Sequence, residues 1–99
     1  MILIAGTVRF PAEALPAARP VMARMVTATR AEDGCLQYAF AEDVLDPCLI
    51  HISELWRDAA ALDAHRNTAH MAAWRAEGAE LGIHGRDLRF YEVGAPITV

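Results

Sequence analysis

Apolar and polar positions change their period several times along the chain, and each change marks an element. Ile2–Phe10 is rich in Ile, Val and Phe and stops at Pro11, which predicts a strand. Between Leu15 and Ala31, residues Leu15, Ala18, Met22, Met25, Val26 and Thr29 recur at steps of three and four, the signature of one helix face. Pro16 suits the first turn of that helix, Pro20 predicts a kink near its start, and Asp33-Gly34 ends it. Cys35–Glu42 then alternates, with Leu36, Tyr38 and Phe40 opposed to Cys35, Gln37 and Ala39. Asp46-Pro47 marks a turn, and Leu49–Arg57 completes a hairpin. Asp58 has the chemistry of an N-cap for a short helix to Arg66, and Thr68 that of a second N-cap for a helix to about Ala79. Met71, Trp74, Gly78 and Leu81 follow the apolar face of this last helix. Gly82 and Gly85 break the chain before a final strand, Asp87–Val93, and Gly94–Val99 is a tail.

The order is β-α-β-β-α-β with the second helical region split, which predicts an α+β, ferredoxin-like domain over residues 1–93, followed by the tail 94–99. In that fold four antiparallel strands carry helices on one face only. The pattern on the strands does not suit a solvated second face. The first strand carries Leu3 and Ala5 on one side and Ile2, Ile4, Val8 and Phe10 on the other. The third carries Leu49 and Leu55 on one side and Ile50, Ile52 and Trp56 on the other. A solvated face should alternate to polar residues.

Composition sharpens the same point. Of 99 residues, 55% are hydrophobic, which is more apolar surface than a monomer of this size readily buries. A homodimer, with a second sheet packed against the open face, resolves the surplus. The formal net charge is −4, and the nine basic residues, all Arg, are scattered among carboxylates. No basic stripe marks a nucleic-acid surface. No apolar run approaches the ~20 residues of a membrane span, and the apolar start MILIAG lacks the basic flank of a signal peptide. Cys35 and Cys48 fit no metal spacing and fall near opposite ends of the hairpin, so they are expected as free thiols. A cytoplasmic location is the matching expectation.

Chemistry-bearing residue types are densest from Glu54 to Trp74, which hold both tryptophans and two of the four histidines. The run fits E-x-W-x(8)-H-x-x-T-x-H-M from Glu54 to Met71. This pattern resembles the antibiotic-biosynthesis monooxygenase (ABM) domain, the group that includes quinol monooxygenases. Arg30–Cys35, R-A-E-D-G-C, is similar to that family's helix-to-strand junction, and the likeness extends over about residues 1–93. The resemblance implies a dimeric α/β barrel with a substrate cavity between sheet and helices. It also implies oxidation of a quinol or phenolic aromatic by dioxygen, in many members without metal, flavin or haem. Relatives that degrade haem carry an Asn and an axial His at positions that fall near Thr7 and Arg75 here, and neither residue can take that part. The histidines also lack the spacing of a zinc site. No cofactor is therefore expected.

Such a reaction needs a base for a phenolic proton and a wall for a flat ring. His65 is the first candidate for proton transfer; the alternative is a cap on the end of the short helix, where an imidazolium is favoured by the dipole. His70, an i,i+4 neighbour of Trp74, is the second candidate, and a partly buried structural histidine is its alternative. Thr7, Tyr38, Trp56, Met71 and Trp74 are candidate substrate contacts, with plain core packing as the alternative for the aromatics and Met71. His51 and His84 have weaker claims, the latter as a solvated turn residue. Glu54, set among apolar strand residues, needs a partner, and an Arg on a helix or on a second subunit is the expected one. Two other functions fit the same chain: a non-enzymatic ligand-binding or stress-response dimer, marked by a wholly apolar cavity, and an isomerase.

Overall fold

β1 (Ile2–Arg9) ends at Pro11, and a short 3-10 turn, Ala12–Ala14, leads into α1 (Leu15–Arg30). β2 (Cys35–Glu42) and β3 (Leu49–Trp56) follow as a hairpin, then α2 (Ala59–Arg66), α3 (Ala69–Glu80) and β4 (His84–Glu92). The computed structural model describes every residue from Met1 to Val99. The strands form one antiparallel sheet in the order β2-β3-β1-β4, with the two ends of the chain on neighbouring inner and edge strands. The fold is the ferredoxin-like α+β arrangement expected from the element order. No helix is long and apolar enough to cross a membrane.

The caps act as their chemistry requires. The Asp58 carboxylate accepts from the Ala61 N–H at 2.9 Å, and the Thr68 hydroxyl accepts from the Met71 N–H at 3.2 Å. α1 buries Leu15, Ala18, Met22, Met25 and Thr29, the stripe its period predicted. Pro20 lies inside α1, which continues past it. The N–H that Pro20 lacks would have bonded to the Pro16 carbonyl, so α1 gives up one hydrogen bond there.

Two strands depart from simple alternation. In β2, Cys35 pairs with Trp56 and Gln37 with Leu55, so Leu36 is an extra residue. This bulge turns Cys35 toward the core with Tyr38 and leaves Leu36 51% exposed, instead of on the side of Tyr38 and Phe40. In β4, three steps from His84 to Asp87 face two steps from Arg9 to Thr7. Gly85, at φ +61°, takes up the additional residue in a left-handed conformation. The glycine expected to break the chain is thus a bulge within the strand, and β4 starts three residues earlier than expected. Gly6 has a different task, because a Cβ there would lie 1.8 Å from the Asp87 carbonyl oxygen. Only glycine lets β1 and β4 approach at that point.

The helix-facing side of the sheet holds Ile2, Ile4 and Val8 of β1, Phe10 just beyond it, and Ile50, Ile52, Glu54 and Trp56 of β3. Trp56, Ile50 and Ala18 are fully buried. Thr7 pairs with His51 and Asp87 on the other face, beside Leu3 and Ala5, and so points away from the helices. Both faces of β1 are apolar enough to pass for the inner one, so the pattern alone does not say that Thr7, a candidate substrate contact, lies on the open face. The open face is graded. Leu55, Leu3 and Tyr91 form one apolar row across three strands, and the next rows are Ser53, Ala5, Arg89 and then His51, Thr7, Asp87. Cys35 and Cys48 are both free. Residues 94–99 have neither helix nor strand.

Candidate functional site

Beneath α3 the apolar packing opens into a cavity of about 250 Å³. Its floor is the sheet row Tyr38, Glu54, Ile4 and the neighbouring row Phe40, Ile52, Leu88. Its wall is Leu62 and His65 of α2 with Met71 and Trp74 of α3. This explains why Met71 and Trp74, which lie on the apolar face of α3, are only half buried. The Trp74 ring stands 5.2 Å from Phe40 and 6.2 Å from Phe10, between cavity and core. An apolar cavity of ~150 Å³ already holds a benzene ring, so the space suits one aromatic ring.

The chain corner between α2 and α3 sets the histidines. The Thr68 hydroxyl donates to the His65 carbonyl at 2.8 Å while it caps α3. This one side chain fixes the last turn of α2 against the first turn of α3, and the H-x-x-T-x-H-M spacing follows from it. Both rings then meet Glu32, in the turn between α1 and β2. His65 Nδ1 lies 2.7 Å and His70 Nε2 2.8 Å from the same Glu32 Oε2. A carboxylate oxygen only accepts, so each of these nitrogens carries a proton. The three donor atoms lie within 4.8 Å of one another, a His-His-Glu set of the kind that also binds divalent cations. Their present separations are those of charge-assisted hydrogen bonds.

His65 is buried, and its ring packs 4.7 Å from Trp56 and 5.5 Å from Tyr38. With Nδ1 on Glu32, Nε2 has no hydrogen bond within the protein. No fully enclosed side-chain nitrogen or oxygen lacks a partner. Nε2 is therefore the atom through which this ring reaches open space, and the open space His65 lines is the cavity. A neutral imidazole protonated on Nδ1 presents a lone pair there.

Glu54 is the cavity's one carboxylate, only 7% exposed. Within the chain its partner is not an Arg of a helix but the Trp56 indole, whose Nε1–H donates to Oε1 at 3.0 Å. The reason is position: Glu54 faces the helices between Tyr38 and Ile4, while the arginines stand farther out. Burial raises its pKa above the ordinary carboxylate range, and the indole hydrogen bond, His65, Arg86 and Arg66 only partly counter that. Burial, followed by the charge of Glu54, likewise pushes the Tyr38 phenol upward.

Of the residues singled out from the sequence, His65, Tyr38, Met71 and Trp74 line the cavity. Thr7 does not, for the reason of strand parity given above. Trp56 is sealed in the core, where it supports His65 and Glu54 from behind. His70 lies outside the lining, against Glu32. Sequence reasoning missed Glu32, although it stands in the R-A-E-D-G-C segment, and it missed the rim residues Arg66 and Arg86. His84, expected as a solvated turn residue, is exposed as expected but belongs to β4 and to the cavity edge.

The chain's family model match is to "Antibiotic biosynthesis monooxygenase", over residues 1–77. The Mycobacterium tuberculosis protein Rv0793 is 39% identical over 69 residues, covering 70% of this chain and 67% of the relative. The solved structure of Rv0793 superposes with a TM-score of 0.76 at 31% identity, covering 99% of this chain and 96% of that one. A Deinococcus radiodurans crystal structure with the same family designation gives a TM-score of 0.92 at 28% identity, covering 100% and 98%. With the family match spanning more than half its length, the chain belongs to the antibiotic biosynthesis monooxygenase family.

Proposed function

We propose that this protein is a monooxygenase that oxidises a one-ring quinol or phenol with dioxygen, with no bound cofactor, using His65 as the base. The observation that carries this reading is the placement of His65 between Glu32 and the cavity. Nε2 takes the phenolic proton, and Glu32 stabilises the imidazolium that results. The electron-rich phenolate passes one electron to dioxygen, and the two radicals combine at a ring carbon that bears hydrogen, para to the oxygen in a simple phenol and ortho to it in a quinol. The peroxide loses water and leaves a quinone, so one dioxygen supplies one ring oxygen and one water. Tyr38, Met71 and Trp74 hold the ring. His70 is assigned to positioning Glu32 rather than to substrate.

A wholly apolar cavity would have favoured a binding protein. The presence of His65 and Glu54 in this one supports chemistry instead. The same pair, a base and a buried carboxyl of raised pKa, also favours proton transfer without oxygen as a second reading, an isomerase. Oxygen uptake on mixing the protein with a panel of one-ring quinols separates the two. Uptake above autoxidation, one dioxygen per quinone formed, is expected. It should persist after treatment with a strong chelator. Loss of the rate on chelation would shift the chemistry to a cation held by Glu32, His65 and His70, and no uptake with any quinol would remove the monooxygenase reading.

We also propose that the working form is a cytoplasmic homodimer, paired through the open sheet face. The row Leu55, Leu3, Tyr91 supports this, because helices cannot cover it. Replacing Leu55 with Arg puts a charge in the middle of that row. Sedimentation is expected to show the parent as a dimer and Leu55→Arg as a monomer with an unchanged circular dichroism spectrum.

A further inference from the structure

We infer that the substrate carries a carboxylate, bound by Arg75 and Arg86 at the mouth of the cavity, so that the natural class is a one-ring aromatic acid with a free phenolic hydroxyl. This rests on the cavity being the aromatic-binding site. Most arginines of the chain already have an acidic partner. Arg9 pairs with Asp46, Arg19 with Glu42, Arg24 with Glu77, Arg57 with Asp33 and Arg89 with Asp87. Arg30 instead donates to the Tyr38 carbonyl.

Besides Arg30, the arginines that lack an acidic partner are Arg75 and Arg86, both at the cavity. Arg75 donates only to the Arg66 carbonyl, at 3.3 Å, and Arg86 makes no side-chain hydrogen bond or ion pair within the chain. Arg66, also on the lining, is paired with Asp63 of its own helix at 3.4 Å. The three come from α2, α3 and β4, so three separate elements bring a guanidinium to one opening. Two of the three, Arg75 and Arg86, have no acidic partner, in a chain of net charge −4 whose other arginines mostly find one.

Position adds a direction. The three arginines are exposed, whereas Glu54 and His65 are buried. A ligand entering this cavity meets positive charge at the rim and a base in the interior. Guanidinium forks match the geometry of a carboxylate, and such hydrogen bonds are about twice as strong as neutral ones. An acid group held at the rim turns the opposite edge of the ring, with its hydroxyl, toward His65.

The test compares 3-hydroxybenzoate with its neutral amide, 3-hydroxybenzamide, and with hydroquinone, each titrated anaerobically into the whole protein while its tryptophan fluorescence is followed. The acid is expected to bind at least about tenfold more tightly than the amide at low salt, with the advantage shrinking at high salt. In the Arg75→Gln/Arg86→Gln double variant the acid should fall to the affinity of the amide, which itself stays unchanged. Both positions are exposed, and an unchanged melting curve confirms the fold. Equal affinities in the parent, or an acid preference that survives in the double variant, overturn the proposal and leave the aromatic cavity standing. Hydroquinone binding without either probe does the same. If none of the three binds, the cavity reading falls, and this proposal with it.

Discussion

Trp56→Ala is expected to destabilise the protein by about 4 kcal/mol or more, the largest effect of any single truncation in this chain. The ring is fully buried between Tyr38, His65 and the core of β1 and α2. Removing a buried aromatic ring costs about 3–5 kcal/mol. Here it also takes the hydrogen-bond donor from a buried carboxyl, a further ~1–3 kcal/mol. A domain of this size has only ~5–15 kcal/mol in total, so urea unfolding should show a variant close to the threshold of folding.

Trp56→Phe separates the two contributions, since it keeps most of the ring and loses the N–H. Its sign with pH follows from Glu54. The carboxyl's pKa is raised in the folded state, so its stabilising contribution is present at low pH and is lost as pH rises through the folded value. The indole hydrogen bond is one of the effects that hold this shift down. Without it the pKa rises further, and the ionised form costs more. The stability gap between Trp56→Phe and the parent should therefore widen from acid to mildly alkaline pH. A gap independent of pH would mean that Trp56 acts on Glu54 through packing alone.

The sheet and helices were legible because their signals are local. Asp58 and Thr68 announce two helix starts by side-chain chemistry, and the α1 stripe lies within one element. The bulges were not, because one additional residue leaves no mark on a hydrophobic pattern. Leu36 and Gly85 each shift the parity of what precedes or follows them. Thr7 failed for a related reason: with both faces of β1 apolar, alternation does not say which is inner. The site was half visible. His65 and Trp74 stand in a dense motif, but Glu32 is 33 residues from His65 and looks like an ordinary turn charge. Its meaning arises only when the turn after α1 is brought against the corner between α2 and α3. The rim arginines were hidden in the opposite way, since all nine look alike until ion pairs remove most of them from consideration.

His65→Ala is expected to lower kcat for quinol oxidation by about 10²–10⁴-fold, the range for removal of a general base. KM should change little, because the ring is held by Tyr38, Met71 and Trp74. His70→Ala provides the contrast. It removes one donor from Glu32 without opening onto the cavity, so the loss should stay below about tenfold, far short of a missing base. Equal losses in the two variants would contradict the assignment of His65 alone to proton transfer. Glu32→Gln tests how the base is held. The amide loses the negative charge and can turn an NH2 group, which only donates, toward the ring, so His65 is no longer fixed as the Nδ1–H tautomer. In serine proteases, replacing the analogous carboxylate by its amide costs ~10⁴-fold through the wrong tautomer, so a drop of at least about tenfold in kcat is expected here. A merely structural role for Glu32 could lower activity too, but it would leave the ring's proton where it was. The ¹⁵N shifts of the His65 imidazole decide between them: Nδ1 should carry the proton in the parent, and the signal should move toward the other tautomer in Glu32→Gln. If the tautomer holds while activity falls, Glu32 supports the fold of the corner rather than the base.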